Sequence, residues 1–302
     1  MKSIVTGGAG FIGSNLVDKL VQLNHEVIVI DNLSSGKLSN LKKVKNKIKF
    51  VKIDILNTKR NIDKYFKNVK WVFHMAGKAN MVESFSKPIS YFNSNVKGTL
   101  NILEASRKAK VKKFIYAASA SCYGNLKKFP TKESSNINPQ NPYALTKFLG
   151  EQLVLSWAKI YYMPNISLRF FNIYGPKSTS DYGAVFSVFL NQKILKQPLT
   201  VTGNGKQTRD FLHVFDLVNA IIEIAKKKKN EEIYNLGSGV ETSINLLAKL
   251  VGGPKVFINK RPEETHRSLA EISKIKNHFS CRPKISIKKG VESLLKDNLN
   301  VL

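Results

Sequence analysis

The segment Thr6-Gly7-Gly8-Ala9-Gly10-Phe11-Ile12-Gly13 constrains this chain more than any other. It follows the short apolar run Ser3–Thr6 and opens an amphipathic stretch over Ile12–Leu23, after which a second apolar run ends at Asp31. A strand that turns on glycines into a helix, and then into a parallel strand, is a βαβ unit. In that setting Gly7 permits the tight turn, Gly10 lets the backbone approach a pyrophosphate, and Gly13 lets the helix pack closely. Phe11 and Ile12 lie in the first turn, where amides and the positive end of the helix dipole face the ligand. A carboxylate at Asp31 accepts from adenosine ribose hydroxyls and repels a 2′-phosphate, so the cofactor read from these residues is NAD rather than NADP. Asp54-Ile55, after a third apolar run, is placed to meet the adenine edge.

The same alternation continues through the first half. Strands are expected at Glu26–Asp31, Ile48–Ile53, Trp71–His74, Lys113–Ala118 and Ile166–Phe171, with helices over Pro88–Ala109 and Tyr143–Tyr161. This is the α/β class: a Rossmann-type, doubly wound parallel sheet. Beyond residue 172 glycines become frequent and strands shorten, which predicts a smaller mixed α/β lobe for substrate. The expected division is 1–171 for the NAD-binding domain and 172–302 mainly for the substrate lobe, with part of 210–237 returning to the first. Ile233–Leu236 is the expected returning strand.

Tyr143 and Lys147 are four residues apart on an expected helix and therefore share a face. A phenol titrating near pH 10 is a poor base at neutral pH, and a nearby ammonium favours its anion. With a serine-rich strand end at Ala118–Ser121, the pair reads as a catalytic base and its activator.

Composition excludes several classes. No apolar run approaches the roughly 18 residues of a membrane span, and the leading run passes straight into Gly7, as a strand does and an export signal does not. Cys122 and Cys281 are the only cysteines, too few for a disulfide framework or zinc site. A cytoplasmic enzyme without metal is expected. The formal net charge is +28, from 49 Lys and Arg against 21 Asp and Glu. No zinc-finger or ribonucleoprotein motif accompanies it, so it reads as a lysine-rich solvated surface and no nucleic-acid partner is expected.

Taken in order, these motifs resemble the extended short-chain dehydrogenase/reductase family, and within it the NAD-dependent nucleotide-sugar epimerases and dehydratases. The resemblance runs through Gly7–Gly13, Asp31–Gly36, His74-Met75-Ala76-Gly77, Asn95–Thr99, Ala118–Gly124, Tyr143–Lys147, Arg169–Pro176, Thr208–Phe211 and Arg261–Glu264. It implies that Ser119, Tyr143 and Lys147 are catalytic, and that Asn32, Ser35, Gly36, Ala76, Asn95 and Phe170 join the cofactor site. It also implies that Asn172, Arg209 and Arg261 hold a nucleotide diphosphate, with Glu264 on the uridine ribose. Related dehydratases carry Asp-Glu after the catalytic Ser/Thr. Here Ala120 and Ser121 stand there, which is the pattern of a 4-epimerase acting on a UDP-hexose through a 4-keto intermediate. Ser268 falls where such epimerases limit the pocket, and serine leaves room for an N-acetylated sugar. A 4-ketoreductase and a UDP-glucuronate 4-epimerase fit the same motifs, and an NAD-sensing or RNA-binding relative is the non-enzyme alternative. The family's four-helix dimer implies a homodimer through the two long helices.

Overall fold

The computed structural model describes residues 1–57, 62–179, 184–230, 232–260, 265–279 and 281–299. The main sheet has seven parallel strands in the order β10-β6-β5-β4-β1-β2-β3. These are β1 (Lys2–Thr6), β2 (Glu26–Asp31), β3 (Ile48–Lys52), β4 (Trp71–His74), β5 (Lys113–Ser119), β6 (Asn165–Phe170) and β10 (Glu232–Leu236). Their near-continuous Val, Ile, Phe and Leu content is what a sheet covered on both faces requires.

One face is covered by α1 (Phe11–Gln22) and α7 (Val214–Lys226), and by α9 (Ser273–Phe279), through Leu16, Val17, Leu20, Leu217, Ile221, Ile224, Ile275 and Phe279. The other face is covered by α4 (Gly98–Lys108) and α5 (Pro142–Tyr161) through Ile102, Leu103 and Val154. Ile272, Ile275 and Phe279 share the first of these cores, so the chain comes back to the main sheet a second time, beyond the returning segment read from sequence.

The expected helix over Pro88–Ala109 is helical throughout but not uniform. Pro88 occupies the first turn of α3 (Pro88–Phe92), Asn93–Lys97 widens into a π-helical turn, and α4 continues from Gly98. Helix α5 starts where Asn141 accepts a hydrogen bond from the Ala144 amide at 2.8 Å and Pro142 needs no partner for its nitrogen.

The remaining strands build the smaller lobe. β7 (Asn172–Tyr174), β9 (Thr208–His213) and β11 (Glu241–Ser243) form one sheet, while β8 (Leu199–Thr202) and β12 (Lys255–Ile258) form another. Helices α6 (Val185–Ile194), α8 (Ile244–Val251) and α10 (Ile287–Leu299) pack with them around Tyr174, Phe186, Phe189, Leu247 and Val291. A short helix α2 (Met81–Ser86) precedes α3. Among the described residues no helix is long and apolar enough to cross a membrane, and no cluster of His, Cys, Asp or Glu is placed to hold a metal.

Candidate active site

A cleft of about 830 Å³ opens along the carboxyl ends of the main sheet and is closed by the smaller lobe. Ligands in doubly wound sheets sit at that edge because the loops converge there and helix N-termini point into it.

At one end stands the glycine loop. Gly7 has a positive φ of 65°, and a Cβ there would lie 2.7 Å from the Cα and N of Ala76. A Cβ on Gly13 would lie 2.2 Å from the Gly7 carbonyl oxygen, so any side chain at either position would push the loop off its neighbours. Gly10 caps α1 without a side chain, and the first turn of α1 holds no acidic residue. The helix N-terminus is thus a cradle shaped for an anion, with amide donors and dipole directed at the cleft.

Asp31 is buried, and its carboxylate accepts from the amides of Ala9 at 2.9 Å and Leu33 at 2.8 Å. Burial raises its pKa, and those two amides oppose the rise. Asn32 donates to Asp54 at 2.9 Å, joining the ends of β2 and β3 on the cleft wall. Ser35, Ile55, Ala76 and Phe170 also line the cleft. This end fits a dinucleotide: a glycine cradle for its phosphates and a carboxylate for a ribose.

Two residues expected at the cofactor, Asn95 and Gly36, are not among those that line the cleft. Asn95 is behind the wall, not on it. Its side chain accepts from the Lys78 amide at 2.8 Å and donates to the Lys78 carbonyl at 3.1 Å and to Thr146 at 3.1 Å. It therefore clamps the loop after β4 to α5. Gly36 is also set back, and a Cβ on it would press on Ala9 and on Asp31. Both act on the cleft through the segments they hold.

Further along the sheet edge, β5 ends at Ser119, and α5 presents Tyr143 and Lys147. All three line the cleft. Ser119 Oγ lies 2.9 Å from Ser121 Oγ, and both serines stand close enough to the Tyr143 phenol to favour its anion. The Tyr91 ring meets that of Tyr143 edge-on at 6.5 Å. Lys147 is buried, its ammonium 4.5 Å from the centre of the Tyr116 ring.

The electrostatics differ from what the Tyr-Lys spacing alone predicts. Burial raises the Tyr143 pKa, and Ser119 and Ser121 work against that rise. Burial also pushes Lys147 down to about 7, partly opposed by the Glu151 carboxylate. Desolvation disfavours every charged form, and it is the largest cause of the shift in both groups.

The depressed lysine has a measurable consequence. The unfolded chain keeps the Lys147 proton up to about pH 10.5, whereas the folded chain releases it above about 7. Between those values the unfolded state binds more protons, so rising pH stabilises the fold. In urea titrations of the cofactor-free protein at pH 7 and pH 9, wild type is expected to gain stability relative to Lys147→Met. An unchanged difference between the two proteins would rule out this depressed lysine.

Asn172, Arg209 and Ser268 line the part of the cleft under the smaller lobe. Asp210 does not neutralise Arg209: its carboxylate accepts from the amides of Ser238, Gly239 and Ala270. Arg261 and Glu264 lie outside the described residues. Lys78, Tyr91 and Arg267 also reach the wall, unmarked in the sequence reading, as does Ser121, which that reading noted only for lacking a carboxylate. Lys78 directly follows the His74–Gly77 motif, and Arg267 directly precedes Ser268, so adjacency to a motif was the only available signal.

Behind the site, Arg169 on β6 donates to Glu151 on α5 at 2.6 and 3.0 Å, and to the Tyr123 hydroxyl at 2.8 Å. Tyr123 donates onward to Asn235 on β10 at 2.7 Å. The fully bonded pair ties the helix that carries Tyr143 to β6 and, through the turn after β5, to β10.

Residues 3–237 match the family described as NAD dependent epimerase/dehydratase. Over 300 residues the chain is 35% identical to a protein of Methanocaldococcus jannaschii named as a putative UDP-glucose 4-epimerase, across 97% of this chain and 96% of that one. The crystal structure of the UDP-glucose 4-epimerase of Thermotoga maritima with UDP-glucose superposes with a TM-score of 0.94 at 32% identity, covering 100% and 99% of the two chains. That of the UDP-glucuronic acid 4-epimerase of Bacillus cereus, in complex with UDP-glucuronic acid and NAD, superposes with a TM-score of 0.91 at 30% identity, covering 100% of both. With the glycine cradle and the Ser-Tyr-Lys cluster already in place, these likenesses show that the chain belongs to the NAD-dependent epimerase/dehydratase family and is an NAD-dependent sugar-nucleotide epimerase.

Proposed function

We propose that this enzyme inverts C4 of a UDP-hexose. The observation that carries the reading is the absence of a usable carboxylate beside Tyr143. Among the described residues only Asp31, Asp54 and Glu83 bring a carboxylate to the cleft wall. The first two stand at the nucleotide end. Glu83 is committed to Lys87 at 2.8 Å and to the Tyr91 hydroxyl at 3.0 Å, which hold its pKa below the ordinary range. Dehydration needs a second acid/base group at the sugar; inversion at one carbon does not.

In this reading the main sheet holds the cofactor and the lobe from residue 172 onward holds the nucleotide sugar. The glycine cradle and Asp31 hold NAD, which when bound accepts a hydride from the sugar carbon and returns it. Tyr143 takes the proton of the C4 hydroxyl as that carbon is oxidised and gives it back on reduction. Ser119 holds the same hydroxyl, and together with Ser121 it donates to the phenolate. Lys147 fixes the cofactor ribose and adds its charge when protonated. Asn172 and Arg209 bind the diphosphate, for which a planar guanidinium is suited, with Arg261 beside it and Glu264 on the ribose. The wall at Ser268 admits an N-acetyl group.

Two measurements test this. Incubation with a panel of UDP-hexoses without added cofactor is expected to invert C4, followed by proton NMR; consumption of added reduced cofactor with no inversion would mark a ketoreductase instead. Ser268→Tyr is expected to lose UDP-N-acetylhexose turnover while keeping that of the plain hexose. Equal losses on both substrates would remove Ser268 from the specificity wall.

A homodimer is also proposed. Val82, Phe85, Ile89, Phe92 and Leu145 are exposed on α2, α3 and α5, with Ile89 at 75%. A second copy of the chain would cover this apolar face. Sedimentation equilibrium is expected to give twice the 33.9 kDa chain mass, whereas the single mass at all concentrations contradicts the dimer.

A further inference from the structure

Part of the charge excess stands at the end of the main sheet opposite the cleft. Parallel strands enter the sheet there, and the preceding helices end there. The backbone places a row of lysines side by side across that floor. The Lys70 amide donates to the Lys2 carbonyl at 2.9 Å, and the Lys112 amide donates to the Lys70 carbonyl at 2.8 Å. The buried Lys113 ammonium in turn donates to the carbonyls of Lys227 at 2.9 Å and Lys229 at 2.7 Å. Lys70, Lys112, Lys227, Lys228 and Lys229 are all exposed.

Nearby acids do not cancel this row. Among the described residues Glu26, Asp63, Glu223 and Glu232 lie at this end, and each already holds a lysine: Lys2 at 3.5 Å, Lys108 at 2.9 Å, Lys226 at 2.9 Å and Lys274 at 2.6 Å. Lysines in the last turn of a helix complement its dipole, which accounts for Lys108 and Lys226. It does not account for Lys70 and Lys112, which stand at strand entries.

Two exposed apolar side chains stand at the same end. Tyr162 follows α5 and is 87% exposed, and Leu23 follows α1 and is 38% exposed. The turn after α5 is fixed on the floor, because the Phe114 amide at the entry of β5 donates to the Pro164 carbonyl at 2.8 Å.

We propose that this floor docks on the surface of an anionic lipid bilayer. Lysines supply diffuse attraction to phosphate headgroups, and Tyr162 and Leu23 enter the boundary between headgroup and acyl chain, where amphipathic and apolar groups gain. A single-stranded nucleic acid matches the lysines and can stack a base on Tyr162, but it offers Leu23 nothing. In this orientation the cleft faces away from the membrane and stays open to soluble substrate.

Vesicle flotation with the full chain tests the proposal. The protein is expected to float with vesicles containing about 30% phosphatidylserine at about 0.1 M salt, and to stay in solution with pure phosphatidylcholine or at about 0.5 M salt. Lys70→Glu/Lys112→Glu/Lys228→Glu is expected to lower the partition at least about a hundredfold with C4 inversion unchanged. Tyr162→Ser is expected to weaken binding several-fold without altering its salt dependence. Equal flotation of the triple variant, equal binding to neutral vesicles, or release from the vesicles by single-stranded RNA at equal phosphate concentration would each overturn the assignment.

Discussion

Tyr143→Phe is expected to lower kcat about 10²–10⁴-fold, the range that a positioned acid/base group contributes, while the protein still binds NAD. The ring remains, so its edge-on contact with Tyr91 and its packing under the cleft survive. What is lost is the only group the serines can hold as an oxyanion. Retained cofactor, measured by its release on denaturation, separates lost chemistry from a lost site. Near-wild-type turnover would show that another group takes the C4 proton.

The second large effect is on stability. Arg169→Leu is expected to cost about 3–5 kcal/mol, because removing one member of a buried pair leaves the other charged without a partner. Glu151 and Arg169 are only 1% and 3% exposed at the side chain and share two hydrogen bonds. Proximity to the carboxylate holds Arg169 above the ordinary arginine value despite burial. Urea unfolding of Arg169→Leu, Glu151→Leu and the double variant is expected to show the double variant less destabilised than the sum of the singles. Additive single losses below about 1 kcal/mol would mean the pair is not an energetic unit. Because Glu151 lies one turn beyond Lys147 on α5, the single variants are also expected to displace the catalytic helix.

Much of this site was legible in the residues because its parts are local. A glycine loop between a strand and a helix must turn tightly whatever surrounds it, and Tyr143 and Lys147 share a face on any helix. The same holds for Asp31 at the end of its strand. Other features were not legible. Asn95 belongs to a motif, yet the π-helical turn at Asn93–Lys97 directs it toward Lys78 and Thr146 rather than the cleft. Lys78, Tyr91 and Arg267 come to the wall from separate segments, as does the lysine row of the floor. No spacing in sequence records those meetings.

By itself, the order of residues determined the elements, the sheet class, the cofactor and the cluster of hydroxyl, phenol and amine. Backbone conformation and side-chain periodicity, which decide those, act over a few neighbouring residues. The tertiary structure alone decided the protonation balance: a raised phenol, a lysine brought to about 7, and an ion pair stable in the interior. Those depend on how much water packing removes around each group, and desolvation is set by every segment that closes over the site.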